Sequence, residues 1–196
     1  MTFVIKLGKL FLKFIYFVMK LFPTKNKVLF LSRQSNNIPL DFELIVKEIK
    51  KEKYDIKVIC QRLEGTKDTF KQAFKFIGVT LKSMYHLATC RVCIIDSYCI
   101  PVSILKHKKS LTVIQIWHAM GKIKQTGYQT LGKRDGRNPK MAKALELHKN
   151  YNIVIAGAKA WNFAYCASFG IEEDKLWNIG LPRAAYIYNF YVTLKL

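Results

Sequence analysis

What this chain of 196 residues lacks narrows its chemistry early. No Gly-x-Gly-x-x-Gly follows a strand-like run and no Walker-type glycine–lysine loop is present, so the two commonest nucleotide-phosphate cradles are not expected. Acidic residues are scarce, 13 against 33 Lys and Arg, for a formal charge of +20. That excess repels itself and attracts phosphate-rich polymers, anionic lipid or nucleic acid. The five cysteines, at 60, 90, 93, 99 and 166, are odd in number and have no framework spacing. Cys90-x-x-Cys93 lies inside an apolar run with no second pair and no paired histidines, so neither a disulfide scaffold nor a zinc site is indicated. No metal and no cofactor is expected, and the compartment reads as reducing. With 51% hydrophobic residues, only 5 Pro and 10 Gly, the chain is no disordered tail, collagen-like repeat or polytopic membrane protein.

The first segment, residues 1–22, reads MTFVIKLGKLFLKFIYFVMKLF. Its apolar run is broken by Lys6, Lys9, Lys13 and Lys20, leaving residues 14–19 as the longest uncharged stretch, too short for a span. No small-residue cleavage site follows. The spacings put all four lysines on one helical face, with Phe3, Leu7, Leu10, Phe11, Phe14 and other apolar residues around the rest. Residues 1–23, ended by Pro23, read as an amphipathic helix in a membrane interface. Its lysines would reach anionic headgroups, placing the protein peripherally on the cytoplasmic face of the cell membrane. The alternative is a buried first helix whose lysines snorkel to solvent.

From Lys27 onward, short β-branched runs alternate with amphipathic stretches. Strands are predicted at 27–32, 55–60, 92–96, 111–117 and 151–156, and helices at 39–53, 67–88, 101–107, 138–149 and 158–169. Five alternations argue for an α/β fold with a mainly parallel, Rossmann-like sheet covered on both faces. Chemistry in such sheets gathers beyond the carboxyl ends of the strands. The first strand delivers Ser32-Arg33-Gln34, the third Asp96-Ser97-Tyr98, and the fourth Trp117-His118, followed by the basic, glycine-rich stretch 121–139. A histidine there can serve as a general base near neutral pH, with lysines and glycines nearby to hold phosphate oxygens. The alternative is a hydrogen-bonded structural histidine ending the sheet. His86, His107 and His148 read as structural or solvated.

Four segments, in order, resemble the CDP-glycerol glycerophosphotransferase family, the teichoic acid primases and polymerases. They are Asn37-Ile-Pro-Leu-Asp41, the run from Ile114 to Lys124 centred on Gln115-Ile-Trp-His118, the run from His148 to Ile155, and Gly180-Leu-Pro-Arg183. The resemblance implies the amino-terminal, acceptor-binding domain of a GT-B glycosyltransferase-like fold over residues 24–183. Residues 184–196 would be the start of a nucleotide-binding domain that is otherwise missing. It implies transfer of glycerol phosphate from CDP-glycerol to a lipid-linked polyol phosphate acceptor, releasing CMP. His118 is then the catalytic base, and Trp117, Gly121, Lys122, Lys124 and Arg183 bind acceptor or phosphate. Gln125 stands where a second family lysine is expected, and Ala185 where an aspartate is expected. A chain lacking the nucleotide half is expected to be inactive alone. The other readings are a catalytically silent module holding anionic membrane or glycerophosphate polymer, and a nucleic-acid binder. No RRM, zinc-finger or OB signature supports the last, so no nucleic acid partner is expected.

Overall fold

The structure, a computed structural model, describes residues 2–62, 69–121, 124–134 and 136–194. Six strands form one parallel sheet: β1 (Lys27–Ser32), β2 (Asp55–Cys60), β3 (Val92–Ile95), β4 (Thr112–Gln115), β5 (Ile153–Ile155) and β6 (Leu176–Trp177), in the order β2-β1-β3-β4-β5-β6. The helices are α1 (Thr2–Met19), α2 (Leu40–Ile49), α3 (Thr69–Thr89), α4 (Ile100–Ile104), α5 (Pro139–Ala144), α6 (Asn162–Phe169) and α7 (Pro182–Leu194). Chain order reverses at β1, with β2 on one side and β3 on the other. The loops leaving β1 and β3 therefore diverge and open a crevice.

All six residues of β1 are buried, because side chains alternate between two covered faces. One face carries Leu29, Leu31, Cys93 and Ile95 beneath α1, α3, α4 and α6; the other carries Val28, Phe30 and Ile94 against Phe42 of α2 and Leu181. At the sheet edge, β2 instead exposes Asp55 and Lys57, paired at 3.1 Å, and charge on an edge strand discourages pairing with another chain.

The bounds of β1 and β2 match the sequence expectation, whereas β6 was not foreseen: two residues, one buried and one exposed, carry no periodicity. The helix region predicted at 138–149 starts as expected. Asn138 caps α5 by accepting from the Lys140 and Met141 amides, and Pro139 opens the first turn. It stops at Ala144 because Glu146, His148 and Asn150 all take left-handed backbone angles. Asn150 uses that turn to donate to the carbonyls of Val102, Ser103 and Leu105 at the carboxyl end of α4, which the helix itself leaves without amide partners.

Helix α1 packs against α3 and α5. Tyr16, 1% exposed, is its anchor and donates to His107 Nδ1 at 2.8 Å, while His107 Nε2 bonds the Val102 carbonyl at 2.7 Å. Lys9 is turned inward, paired with Glu146 and donating to the Ala144 carbonyl, and Lys13 lies 3.9 Å from the same carboxylate. This corrects the expectation that all four lysines reach outward: burial of Tyr16 rotates the lysine row to the flank of the docked face. Lys6 is exposed, and Lys20 lies 5.9 Å from the rings of Tyr16 and Phe17. The outward face is apolar, with Leu10, Phe14 and Leu21 65–75% exposed. No helix among the described residues is long and apolar enough to cross a membrane.

Two histidines are held neutral by the fold. Burial, aided by Lys27, lowers His86 from 6.5 to about 4, and burial also lowers His107. Between about 4 and 6.5 the unfolded chain's His86 binds more protons than the native one, and His107 acts in the same direction. The stabilisation is thus complete above pH 6.5 and lost as pH falls toward 4. Urea midpoints are expected to be lower at pH 5 than at pH 7.5, and His86→Gln should reduce the difference.

Candidate active site

The fourth strand ends in a turn that its own glutamine builds. Gln115, fully buried, accepts from the Trp117 amide at 2.8 Å and donates to the Ser97 carbonyl at 3.4 Å. This holds Trp117 at φ 60°, a left-handed conformation that is costly for a bulky residue and is kept only where surroundings impose it. The Trp117 ring then wedges into the core edge-on to Phe169, and the His118 ring stacks on it at 4.0 Å.

His118 Nδ1 lies 3.0 Å from the Asp96 carbonyl oxygen. A carbonyl only accepts, so Nδ1 carries a proton, and in the neutral imidazole the lone pair is on Nε2. Asp96 itself is 2% exposed; its carboxylate accepts from Ser32 at 2.7 Å and Ser97 at 2.8 Å, tying the ends of β1 and β3 together. Burial raises its pKa, against the opposing pull of the two hydroxyls and His118.

The crevice beyond these strand ends is an open cleft of about 600 Å³, lined by Trp117, His118, Arg33, Arg62, Lys124 and Arg137 among others. No carboxylate lines it among the described residues. The basic loop closes one wall. Gly127 sits at φ 58° where a Cβ would fall 2.1 Å from the Ser168 carbonyl oxygen and 2.9 Å from His148 Nε2, so only glycine fits. His148, 5% exposed, is wedged among Tyr98, Tyr151 and Phe169. A second pocket, beside α3 and α4, is apolar and only about 40 Å³, too small for a substrate.

The family model of CDP-Glycerol:Poly(glycerophosphate) glycerophosphotransferases matches residues 13–191. The chain belongs to this family. It is 36% identical over 107 residues to the teichoic acid ribitol-phosphate primase of Bacillus spizizenii, covering 55% of this chain and 28% of that protein. It is 28% identical over 190 residues to the teichoic acid poly(ribitol-phosphate) polymerase of the same organism, covering 95% and 29%. A solved structure of the wall teichoic acid polymerase TagF superposes with TM-score 0.65 at 13% identity, over 96% of this chain and 49% of that one. The fold is thus the Rossmann-like α/β sheet seen in TagF. The chain spans less than a third of these curated relatives and about half of the TagF chain.

Within this member of the family the structure sorts the site residues expected from sequence. Trp117, His118 and Lys124 line the cleft together. Lys122 lies outside the described residues. Gly121 faces elsewhere: a Cβ there would meet the Trp161 indole at 3.3 Å, so the glycine admits that ring. Arg183 requires a correction. Its guanidinium forms a two-pronged pair with Asp41, through Nε at 2.7 Å and through Nη2, and its amide donates to the same carboxylate at 3.0 Å. Its remaining arm donates to the His118 carbonyl at 3.2 Å. A guanidinium so engaged clamps the His118 turn to α2 and does not line the cleft. Three of the four segments that carried the resemblance therefore meet here, through Asp41, His118 and Arg183.

Sequence reasoning gave no role to Arg33, Arg62 or Arg137, which line the same cleft. Their signal was positional: Arg33 and Arg62 each come just after a predicted strand. Gln115 also gave a sign, as a lone amide in the middle of an apolar strand run.

Proposed function

We propose that this chain is the acceptor side of an enzyme that transfers a polyol phosphate from a CDP-activated donor, CDP-glycerol or its ribitol counterpart, to a lipid-linked polyol phosphate acceptor. The observation that carries the proposal is the fixed tautomer of His118, which leaves Nε2 basic in a cationic cleft. His118 Nε2 takes the proton of the acceptor's terminal hydroxyl, and that oxygen bonds to the polyol-bearing phosphorus. The bond from that phosphorus to the bridging oxygen breaks, and CMP leaves with the electron pair. Lys124 offers charge to the phosphate oxygens, where electrostatic stabilisation matters most. The family's own description names CDP-glycerol, and one TagF structure was soaked with CDPG.

The donor nucleotide is assigned to a second half of the kind the family resemblance implies, and α7 is the last helix of the acceptor side. Tyr186 and Tyr188 of that helix are exposed. The test is CMP release from CDP-glycerol by the chain alone and by the chain joined to the carboxyl-terminal half of a relative. Release is expected only from the joined protein and only with His118 intact. Undiminished release after His118→Ala would refute the base.

The outward apolar face of α1, flanked by Lys6 and Lys20, supports a second part of the proposal, that the domain rests on the cytoplasmic membrane surface. Phe74 of α3 is a further exposed apolar side chain, 74% exposed and about three turns before Tyr85, whose ring meets Phe22. Flotation with anionic vesicles should show binding that weakens with salt. A Phe14→Ser, Leu21→Ser double variant should lose most binding without losing thermal stability. Substitution is the sound test here, because deleting the helix would also remove Tyr16 from the core. Unchanged flotation of the variant would refute the anchor.

A further inference from the structure

Three cations in the cleft have no part in the proton transfer: Arg33, Arg62 and Arg137. Two of them are set out by the sheet. His118 follows β4, Ser97 follows β3, Arg33 follows β1 and Arg62 follows β2, and those strands are consecutive neighbours. At about 4.8 Å per strand, the loop bearing Arg33 stands roughly 10 Å from that of His118, and the loop bearing Arg62 roughly 14 Å. Both loops are pinned through the backbone. The Arg33 amide donates to Ser97 Oγ at 3.2 Å, and the Arg62 amide donates to Asn36 Oδ1 at 3.0 Å. Arg137 on the facing wall lies 4.8 Å over the Tyr98 ring, and the Tyr98 hydroxyl is itself anchored to the Leu145 carbonyl at 2.7 Å. Among the described residues none of the three arginines has a carboxylate within ion-pairing distance.

We propose that these arginines form a track for consecutive phosphodiester groups of the acceptor, running from His118 across the strand ends toward β2. The inference rests on the acceptor reading above and adds its direction and its minimum length. In a glycerol phosphate chain the first phosphorus is five bonds from the terminal hydroxyl, and each further one is six bonds on. At about 1.2 Å of advance per bond in an extended chain, the two nearest phosphates sit roughly 6 and 13 Å from the reacting oxygen. An arginine side chain reaches several ångströms, so the first phosphate falls to Lys124 and the second between Arg33 and Arg62, whose loops bracket that distance. A guanidinium matches such an anion with two parallel donors. The preferred acceptor therefore carries at least two phosphates behind its nucleophilic hydroxyl.

The test measures binding by calorimetry on the full chain, using glycerol 3-phosphate and synthetic oligo(glycerol phosphate)s with two, three and four phosphates. Affinity should rise steeply up to two or three phosphates and then level off. Arg33→Gln and Arg62→Gln should each weaken the three-phosphate probe about tenfold while changing glycerol 3-phosphate less than about twofold. Arg33→Lys should keep most of the affinity, and circular dichroism of every variant should match the parent. Equal losses for short and long probes, or no dependence on length, would overturn the track. So would inorganic pyrophosphate binding as tightly as the three-phosphate probe, since the cations would then serve a compact diphosphate such as a lipid pyrophosphate. Because no turnover is read, these failures would leave His118-dependent CMP release standing, and loss of that release would leave the length series standing.

Discussion

In the enzyme rebuilt from this chain and a relative's carboxyl-terminal half, His118→Ala is expected to lower CMP release by about two to four orders of magnitude, the ordinary worth of a positioned general base. The expectation follows from how much of the structure serves one imidazole. The Asp96 carbonyl fixes its proton on Nδ1, the Trp117 ring stacks on it, and Gln115 holds the turn that presents it. Lys124→Ala should cost less and act mainly on acceptor affinity, since its exposed ammonium attracts acceptor phosphate but takes no proton. Gln115→Leu should fall between them: it removes the acceptor for the Trp117 amide, so the left-handed turn loses its support and His118 its aim. These differences are read as changes in kcat and KM measured separately. A His118→Ala enzyme with unchanged kcat would refute the base assignment.

Arg183→Ala is expected to destabilise the chain by about 3 kcal/mol, because it strands the carboxylate of Asp41 without its partner. Asp41 is 3% exposed, and among the described residues its carboxylate accepts from the Arg183 amide and guanidinium. For a chain of this size that corresponds to a fall in Tm of roughly 6–12 °C. Asp41→Ala should cost a similar amount, and the double variant little more than either one, the pattern of two groups that act as a unit. The alternative role, phosphate binding by Arg183, gives the opposite signature: an unchanged Tm with weakened binding of glycerol phosphate oligomers. Thermal melts of the three variants, read beside the calorimetric series, separate the two.

The sequence alone determined the local elements and their order. Bounds of β1 and β2 were legible because β-branched runs bounded by polar residues are a local signal, and the alternation of five such runs with amphipathic stretches is enough to imply a parallel sheet. His118 was legible for a related reason: it stands where an apolar strand stops, which is where such sheets place their chemistry. What the tertiary structure decided is everything that joins residues far apart in the chain. Arg183 looked like a free cation in a Pro-Arg turn, and only folding reveals a buried carboxylate 142 residues earlier that takes it up. Lys9 looked like a headgroup contact until burial of Tyr16 turned it onto Glu146. The line of cations from His118 to Arg62 exists only because β2 lies beyond β1 while β3 and β4 lie on its other side. Periodicity records which face of an element is buried, but neither strand order nor the partner of a particular charge leaves a periodic trace. Those are set by which surfaces pack, and in this chain packing brings Asp41, Asp96, Trp117 and Arg183 around a single histidine.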